Sequence, residues 1–334
     1  MEIHAPPFFT PMHILTVEPA EQGMKLHGFL SRRLENDANA GELHRWIRTG
    51  QVRVNGKRVH AFERLTAGDA VRLPPFAVPA VLRKTVTTSI RSGEMLENIL
   101  RVLAATPDFL ALEKPAGLVT QPGSKQTTSV ADILCRYFVG TAYIPAPAHR
   151  LDKATSGILL AGRTHEAQEK LHALFAEKTD GQVDGQADGL MKTYLAWVGG
   201  LWPHGRELVM DDHLAKESAL RNGRVFESVH AVAEGMGKRA VSRVRLLETR
   251  TTPHGTASLL SISLITGRTH QIRAQLATRG IPILGDTKYG GKPFFCLLLH
   301  AYRLAFPWNG EQVELVSLPD WPALFAVAQV PNFA

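Results

Sequence analysis

At 334 residues, 44% of them hydrophobic and 21% charged, the chain is too long for one average domain and too apolar for a disordered polymer, so two folded units with a sizeable core are expected. Thirty-eight Lys and Arg against thirty-one Asp and Glu leave a formal charge of +7, a surplus that favours a polyanionic partner, either nucleic acid or an anionic membrane surface. The longest uncharged apolar run, 257–267, is only long enough for a strand, so no membrane span is expected. The first residues, with Pro6, Pro7 and Pro11 and no basic segment before an apolar one, carry no secretory-signal pattern. Only Cys135 and Cys296 are present, far apart and without a CxxC, which indicates neither a disulfide scaffold nor a thiolate metal site. A cytoplasmic location is the expectation.

The charge is concentrated. Residues 24–73 hold ten basic against five acidic side chains, which is +5 of the total +7. Leu26, Phe29, Leu30 and Leu34 recur at helical spacing, and Leu43, Trp46 and Ile47 mark a second short helix that Thr49 and Gly50 end. Residues 51–54 alternate towards Asn55-Gly56, a dipeptide suited to a tight hairpin turn, and 69–73 form a further strand. Arg45, Arg48, Arg53, Lys57 and Arg58 would then cluster around the second helix and the hairpin, spaced to meet several phosphates, although a solvated polar face would look the same. The run ELHRWIRTGQVRVNGKRV, followed by LTAGDAVRL, resembles the small alpha-L RNA-binding fold of a ribosomal protein and several RNA-modifying enzymes. That resemblance implies that the second helix and hairpin touch structured RNA. It sets an N-terminal extension at 1–20 and an RNA-binding domain at 21–75.

Residues 76–97, with three prolines in the stretch after Leu73 and little periodicity, suit a linker, and a second domain is expected over 98–330. Its predicted elements are a strand at 109–112, a helix at 130–138, a strand at 157–162, a helix at 166–178 and strands at 194–198, 241–247 and 259–265. A helix at 269–279, with Thr269 as a plausible cap, and a strand at 297–306 follow. Strands and helices mix without strict alternation, which gives an α+β fold with a mainly antiparallel, mixed sheet preceded by the small α/β domain. No GxGxxG follows a strand and no GxxxxGK[ST] occurs, so nucleoside triphosphate chemistry is not expected. The Asp/Gly/Gln-rich stretch 179–190 reads as a surface loop.

Three clusters carry candidate chemistry. HRLDKATSG (149–157) stands just before a strand; alone, its Asp is equally a turn former whose carboxylate accepts backbone N–H groups. TGRTHQIR (266–273) sits where a strand gives way to a helix and could be no more than a capped helix with exposed basic residues. In KTY (192–194) the tyrosine could equally pack on the sheet.

Together, and in this order, these clusters resemble the RluA-type pseudouridine synthase family. LEKPAGLVTQP upstream and GIPILGDTKYGG and LLLHAYRLAF downstream fit as well, so that the likeness spans about 98–310, with 179–190 as an unusual insertion. The resemblance implies isomerisation of uridine within RNA, which needs neither metal nor other cofactor. It assigns Asp152 as the reacting carboxylate, Arg273 as its cationic partner and Tyr194 as the group lying against the uracil, where it could stack on the base or assist proton removal from C5. Arg150 would fill the space vacated by a flipped base and pair with a phosphate, while His149, Arg268 and Gln271 complete the expected substrate contacts. His149, His270 and His300 lack ligand-like spacing and are expected in structural hydrogen bonds rather than on a metal.

Members of the family with the extra module mostly act on large-subunit ribosomal RNA, which makes ribosomal RNA, or a ribosomal large-subunit precursor, the expected partner of a monomeric enzyme. Transfer RNA is the alternative substrate. A non-catalytic RNA-binding assembly factor is a rival whose signature would be loss of the aspartate. A metal-dependent nuclease would need clustered carboxylates, and Asp211, Asp212 and Asp286 form no such motif.

Overall fold

The computed structural model describes residues 14–34, 38–74, 100–122, 128–176, 189–221, 224–253 and 255–328. The expected linker 76–97 lies outside them, as do 179–188 of the expected loop and the last two residues of the helix expected at 166–178.

The N-terminal module joins β1 (Ile14–Thr16), α1 (Leu26–Leu34), α2 (Ala40–Arg48), β2 (Arg53–Val54) and β3 (Ala70–Arg72), with strand order β1-β3-β2. β1 lies in the stretch expected as an extension, yet pairs with β3 and so belongs to the module. The apolar stripes predicted from spacing are its core: Phe29 and Leu30 of α1 pack with Leu43, Trp46 and Ile47 of α2 over Val52 and Val71. Asn39 caps α2 in a reciprocal capping box with Glu42. Asn55 and Gly56 both take positive φ, as the NG turn requires, and Asn55 Oδ1 accepts the Ala70 amide.

Arg45, Arg48, Lys57 and Arg58 are exposed along α2 and the turn. Arg53 and Arg58 are braced on the carbonyls of Gly56 and Thr49. Others among the ten basic residues serve the fold. Arg33 makes a two-point pair with buried Glu21 at 2.7 Å, and Arg32 stacks over Tyr143 while donating to Ile144 O, which ties the module to the larger body.

The larger body is one 11-stranded sheet. Its strands are β4 (Arg101–Ala105), β5 (Phe109–Lys114), β6 (Ala146–Pro147), β7 (Ser156–Gly162), β8 (Met191–Gly199), β9 (Glu207–Arg221), β10 (Arg224–Val232), β11 (Lys238–Thr252), β12 (Gly255–Leu264), β13 (Leu299–Trp308) and β14 (Glu311–Val316). The main path runs β10-β9-β11-β12-β8-β13-β7-β5-β4, with β14 on β13 and β6 on β7. Every pairing is antiparallel except β13 with β7, where His300 and Ala301 meet Ser156 and Gly157 in parallel. The α+β, mainly antiparallel expectation holds.

Period-two alternation on β5 and β7 divides the core. Leu110, Leu112, Leu159 and Ala161 face α3 (Val130–Tyr137), while Phe109, Ala111, Ile158 and Leu160 face the side covered by α4 (His165–Ala176). The last helix, α5 (Gln271–Thr278), is buried from Gln271 through Leu276, a burial all round that an amphipathic pattern does not announce. It starts two residues later than expected. His270, not Thr269, is the N-cap; it takes a left-handed φ of 52° and makes no side-chain cap.

Candidate active site

The loop between β6 and β7 delivers Asp152. Leu151 beside it is buried and clasped by Thr120, whose hydroxyl donates to Leu151 O and accepts the Leu151 amide. The Thr155 amide is taken by the Asp152 backbone carbonyl at 3.1 Å, so this turn does not need the carboxylate. Gly157 is required just after it: φ is 116°, and a Cβ would overlap the backbone of Ala301 where β7 and β13 meet.

The Asp152 carboxylate meets Arg273 from α5. Arg273 Nη1 donates to Asp152 Oδ2 at 3.1 Å, while Nε and Nη2 hold Asp286 in a two-point pair at 2.8 Å on both oxygens. Arg273 and Asp286 are almost wholly buried, whereas the Asp152 side chain keeps 28% exposure and remains open to a cavity. Burial works against the Arg273 charge, but Asp286 and then Asp152 outweigh it and hold the guanidinium above its ordinary pKa. The site therefore keeps a fixed cation beside a reachable carboxylate.

His270 approaches the same Asp152 oxygen, with Nε2 at 3.5 Å, and its Nδ1 lies 2.7 Å from the Tyr289 hydroxyl. Burial lowers its pKa against the opposing pull of Asp152. Tyr194, on β8, lines the same cavity; burial, reinforced by the Asp152 charge, pushes its phenol well above the ordinary range. Tyr194 therefore presents a neutral phenol at neutral pH.

The cavity has a volume of about 1150 Å³, and Arg150, Lys192, Lys216, Arg239, Arg268 and Lys288 stand among its lining residues. It is roomy enough for a nucleotide and basic enough to receive its phosphates. Arg150 is exposed there, and Arg268 is anchored by Nε on Arg239 O.

Two expected contacts have other work in the structure. All four hydrogen-bonding positions of the Gln271 amide are filled from within: Thr266 Oγ1 and the Arg268 amide donate to it, and it donates to Val241 O and Ser242 Oγ. It braces the turn into α5 and has nothing left for substrate. His149 accepts the Leu160 amide on Nε2 and stacks on Phe175 at 4.0 Å; burial, with help from the Lys192 charge, pushes its pKa down to about 3, so it is a neutral wall of the cavity. His300 bridges Ser156 and Ser317.

Asp211 and Asp212 are paired with Arg239 and Arg279 respectively. No group of three or more His, Cys, Asp or Glu placed to hold a metal occurs among the described residues. No helix there is long and apolar enough to cross a membrane.

Sequence reasoning missed Lys114, Asp286 and Tyr289 as site residues and gave His270 only a structural hydrogen bond. Lys114 is fully buried, and its ammonium donates to the carbonyls of Pro115, Leu118 and Lys153, lashing the KPAG turn to the residue after Asp152. Burial lowers its pKa from 10.5 to about 8, partly offset by the Asp152 charge. Between these values the unfolded chain holds a proton that the folded chain releases, so this group's contribution to stability rises with pH across that window. Lys114→Met is expected to lose that rise. Urea unfolding of both proteins at pH about 7.5 and about 10 measures it, and an unchanged difference between them would contradict the assignment.

An RNA pseudouridylate synthase family model matches residues 108–278, half of the chain, from β5 through α5. The chain therefore belongs to the RNA pseudouridylate synthase family, a class of RNA-modifying isomerases. Over 313 residues it is 32% identical to "Ribosomal large subunit pseudouridine synthase C" of Pasteurella multocida, covering 90% of this chain and 89% of that one. The protein of the same name from Escherichia coli K12 is 31% identical over 320 residues, covering 92% and 93%. Among solved structures, human RNA Pseudouridylate Synthase Domain Containing 1 superposes with a TM-score of 0.53 at 23% identity, over 67% of this chain and 86% of that one. That likeness is one of fold.

Proposed function

We propose that the protein isomerises uridines of large-subunit ribosomal RNA to pseudouridine, with Asp152 as the reacting carboxylate. The observation that carries the reading is the open Asp152 carboxylate, held by buried Arg273, in the lining of a basic cavity. The ribosomal substrate is supported by the name shared by relatives that align over nine tenths of this chain.

In the reaction the N1–C1′ bond breaks and a C5–C1′ bond forms, C5 loses its proton and N1 gains one. The balance calls for no redox partner. It does call for a carboxylate that stays anionic when a nucleotide excludes water, and Arg273 supplies the compensating charge. A uridine must leave its stack to reach Asp152, at a cost of a few kcal/mol. In this reading Arg150 fills the vacated space, Arg268 meets a phosphate and the Tyr194 ring lies against the uracil. The protonated state of Tyr194 favours stacking over proton abstraction.

The module in front serves as the RNA clamp, with Arg45, Arg48, Arg53, Lys57 and Arg58 facing phosphates and 98–330 as the catalytic domain. Neutralising Arg45, Arg48 and Lys57 together is expected to weaken RNA affinity and reduce the slope of log affinity against log salt by about two to three, while the rate on saturating substrate persists. An unchanged slope would remove the clamp from the account. Mapping pseudouridine in ribosomal and transfer RNA from cells with and without the protein tests the substrate. Loss of sites in large-subunit ribosomal RNA is expected, and loss confined to transfer RNA would overturn it.

A further inference from the structure

One short turn touches both groups that flank Asp152. It comprises Asp286 and the 3-10 segment Thr287–Tyr289. Asp286 is 2% exposed and spends both oxygens on Arg273 Nε and Nη2, which leaves Nη1 directed at Asp152. The Tyr289 ring lies under the same guanidinium, 5.0 Å from centroid to carbon. Its hydroxyl accepts the Val229 amide of β10 at 3.1 Å and meets His270 Nδ1 at 2.7 Å.

A phenol has one proton to give. With the Val229 N–H already donated to its oxygen, that proton is best placed on His270 Nδ1, and a neutral imidazole then carries its own proton on Nε2, the atom facing Asp152 Oδ2 at 3.5 Å. The turn is itself fixed: Gly285, before it, has φ of 84°, and a Cβ there would overlap the Cys296 carbonyl.

We propose that the 286–289 turn is the positioning element of the active site. Asp286 orients Arg273 and Tyr289 orients His270, so that a guanidinium N–H and an imidazole N–H converge on one oxygen of Asp152. His270 thereby joins the groups in contact with the reacting carboxylate, while Asp286 and Tyr289 act through their partners. The other Asp152 oxygen is left to the substrate. This inference rests on Asp152 being the reacting carboxylate.

The test is a double-mutant cycle on the full chain, comparing Tyr289→Phe, His270→Asn and the double variant by single-turnover pseudouridine formation, with RNA affinity and melting temperature measured alongside. Tyr289→Phe keeps the ring under Arg273 and removes only the hydroxyl. It is expected to lower the rate about tenfold with affinity within about twofold, and the double variant to be no slower than His270→Asn alone, as for residues acting through one another. A normal rate in Tyr289→Phe, or rate losses that multiply in the double variant, would overturn the proposal. Should Tyr289→Phe not fold, Asp286→Asn is read instead against Arg273→Lys by the same criterion of non-additive rates. An Asp152→Asn enzyme that keeps its rate would overturn the Asp152 reading itself, an outcome distinct from a failed cycle.

Discussion

Asp152→Asn is expected to abolish pseudouridine formation while RNA affinity stays within about threefold. The substitution keeps the shape of the side chain and removes its charge. The loop that carries it is held by Thr120 on Leu151, by the Thr155 amide on the Asp152 backbone carbonyl, and by Lys114 and the Gly117 amide on Lys153 O, none of which uses the carboxylate. The variant should therefore fold. Affinity should persist because the substitution leaves in place the other cations of the cavity and those exposed on α2, which the proposed function assigns to phosphates. Loss of a covalent or proton-transferring carboxylate removes the reaction path itself rather than trimming it, so a fall of at least about 10⁴ is anticipated. Quantifying pseudouridine after long incubation with excess enzyme, beside a binding isotherm, checks both halves. Product at more than a trace level would remove Asp152 from the centre of the reaction.

Arg273→Met is expected to be the second most damaging change, and to act on both stability and chemistry. It strips the partner from Asp286, a carboxylate whose side chain is 1% exposed, and leaves that charge buried and alone. Breaking a buried pair in this way costs about 3–5 kcal/mol. It also removes the guanidinium that donates to the Asp152 carboxylate. Arg273→Lys separates the two effects: a lysine restores one positive charge but cannot span Asp286 and Asp152 with a planar fork. The expected order of thermal stability is wild type, then Arg273→Lys, then Arg273→Met, with both variants reduced in rate by at least about 10² because neither restores the guanidinium contact that positions the carboxylate. An Arg273→Met protein that melts like the wild type would contradict the buried-pair argument.

Much of this architecture was legible because it is encoded locally. The Asn55-Gly56 turn follows from residues that tolerate positive φ, and the helices of the module follow from apolar spacing. The strands 156–162 and 255–264 are apolar runs of strand length. β9 and β10 were not legible. Charged residues interrupt their apolar positions, and the partners of those charges lie on neighbouring strands, with Asp211 on Arg239 and Lys216 on Glu227, which only the folded sheet brings together. β14 carries a period-two pattern in EQVELV, but over only six residues it is a weak strand signal.

The site divides in the same way. Asp152, Tyr194 and Arg273 stand in motifs that resemble a known family, and the structure brings all three to one cavity. The residues that hold them there were invisible as such. Asp286 lies 13 positions beyond Arg273, across a chain reversal that no local pattern specifies, and Lys114 lies 39 positions before the Lys153 carbonyl it grips. The GDTKYGG run belongs to the family likeness, but the roles of Asp286 and Tyr289 depend on Arg273 and His270, which only the folded chain brings against them. The localised charge sharpened too. Arg32 and Arg33 of the basic stretch are tied into the fold, whereas Arg45, Arg48, Lys57 and Arg58 of α2 and the hairpin are exposed.

Release of tritium from RNA labelled at C5 of uridine tests the central claim most directly, because the label is lost only if C5 surrenders its proton to form the new bond. Wild-type protein is predicted to release one tritium per target uridine, and Asp152→Asn none above background at equal RNA occupancy. Equal release by the two proteins, or no release by wild-type protein that binds its RNA, would contradict the account.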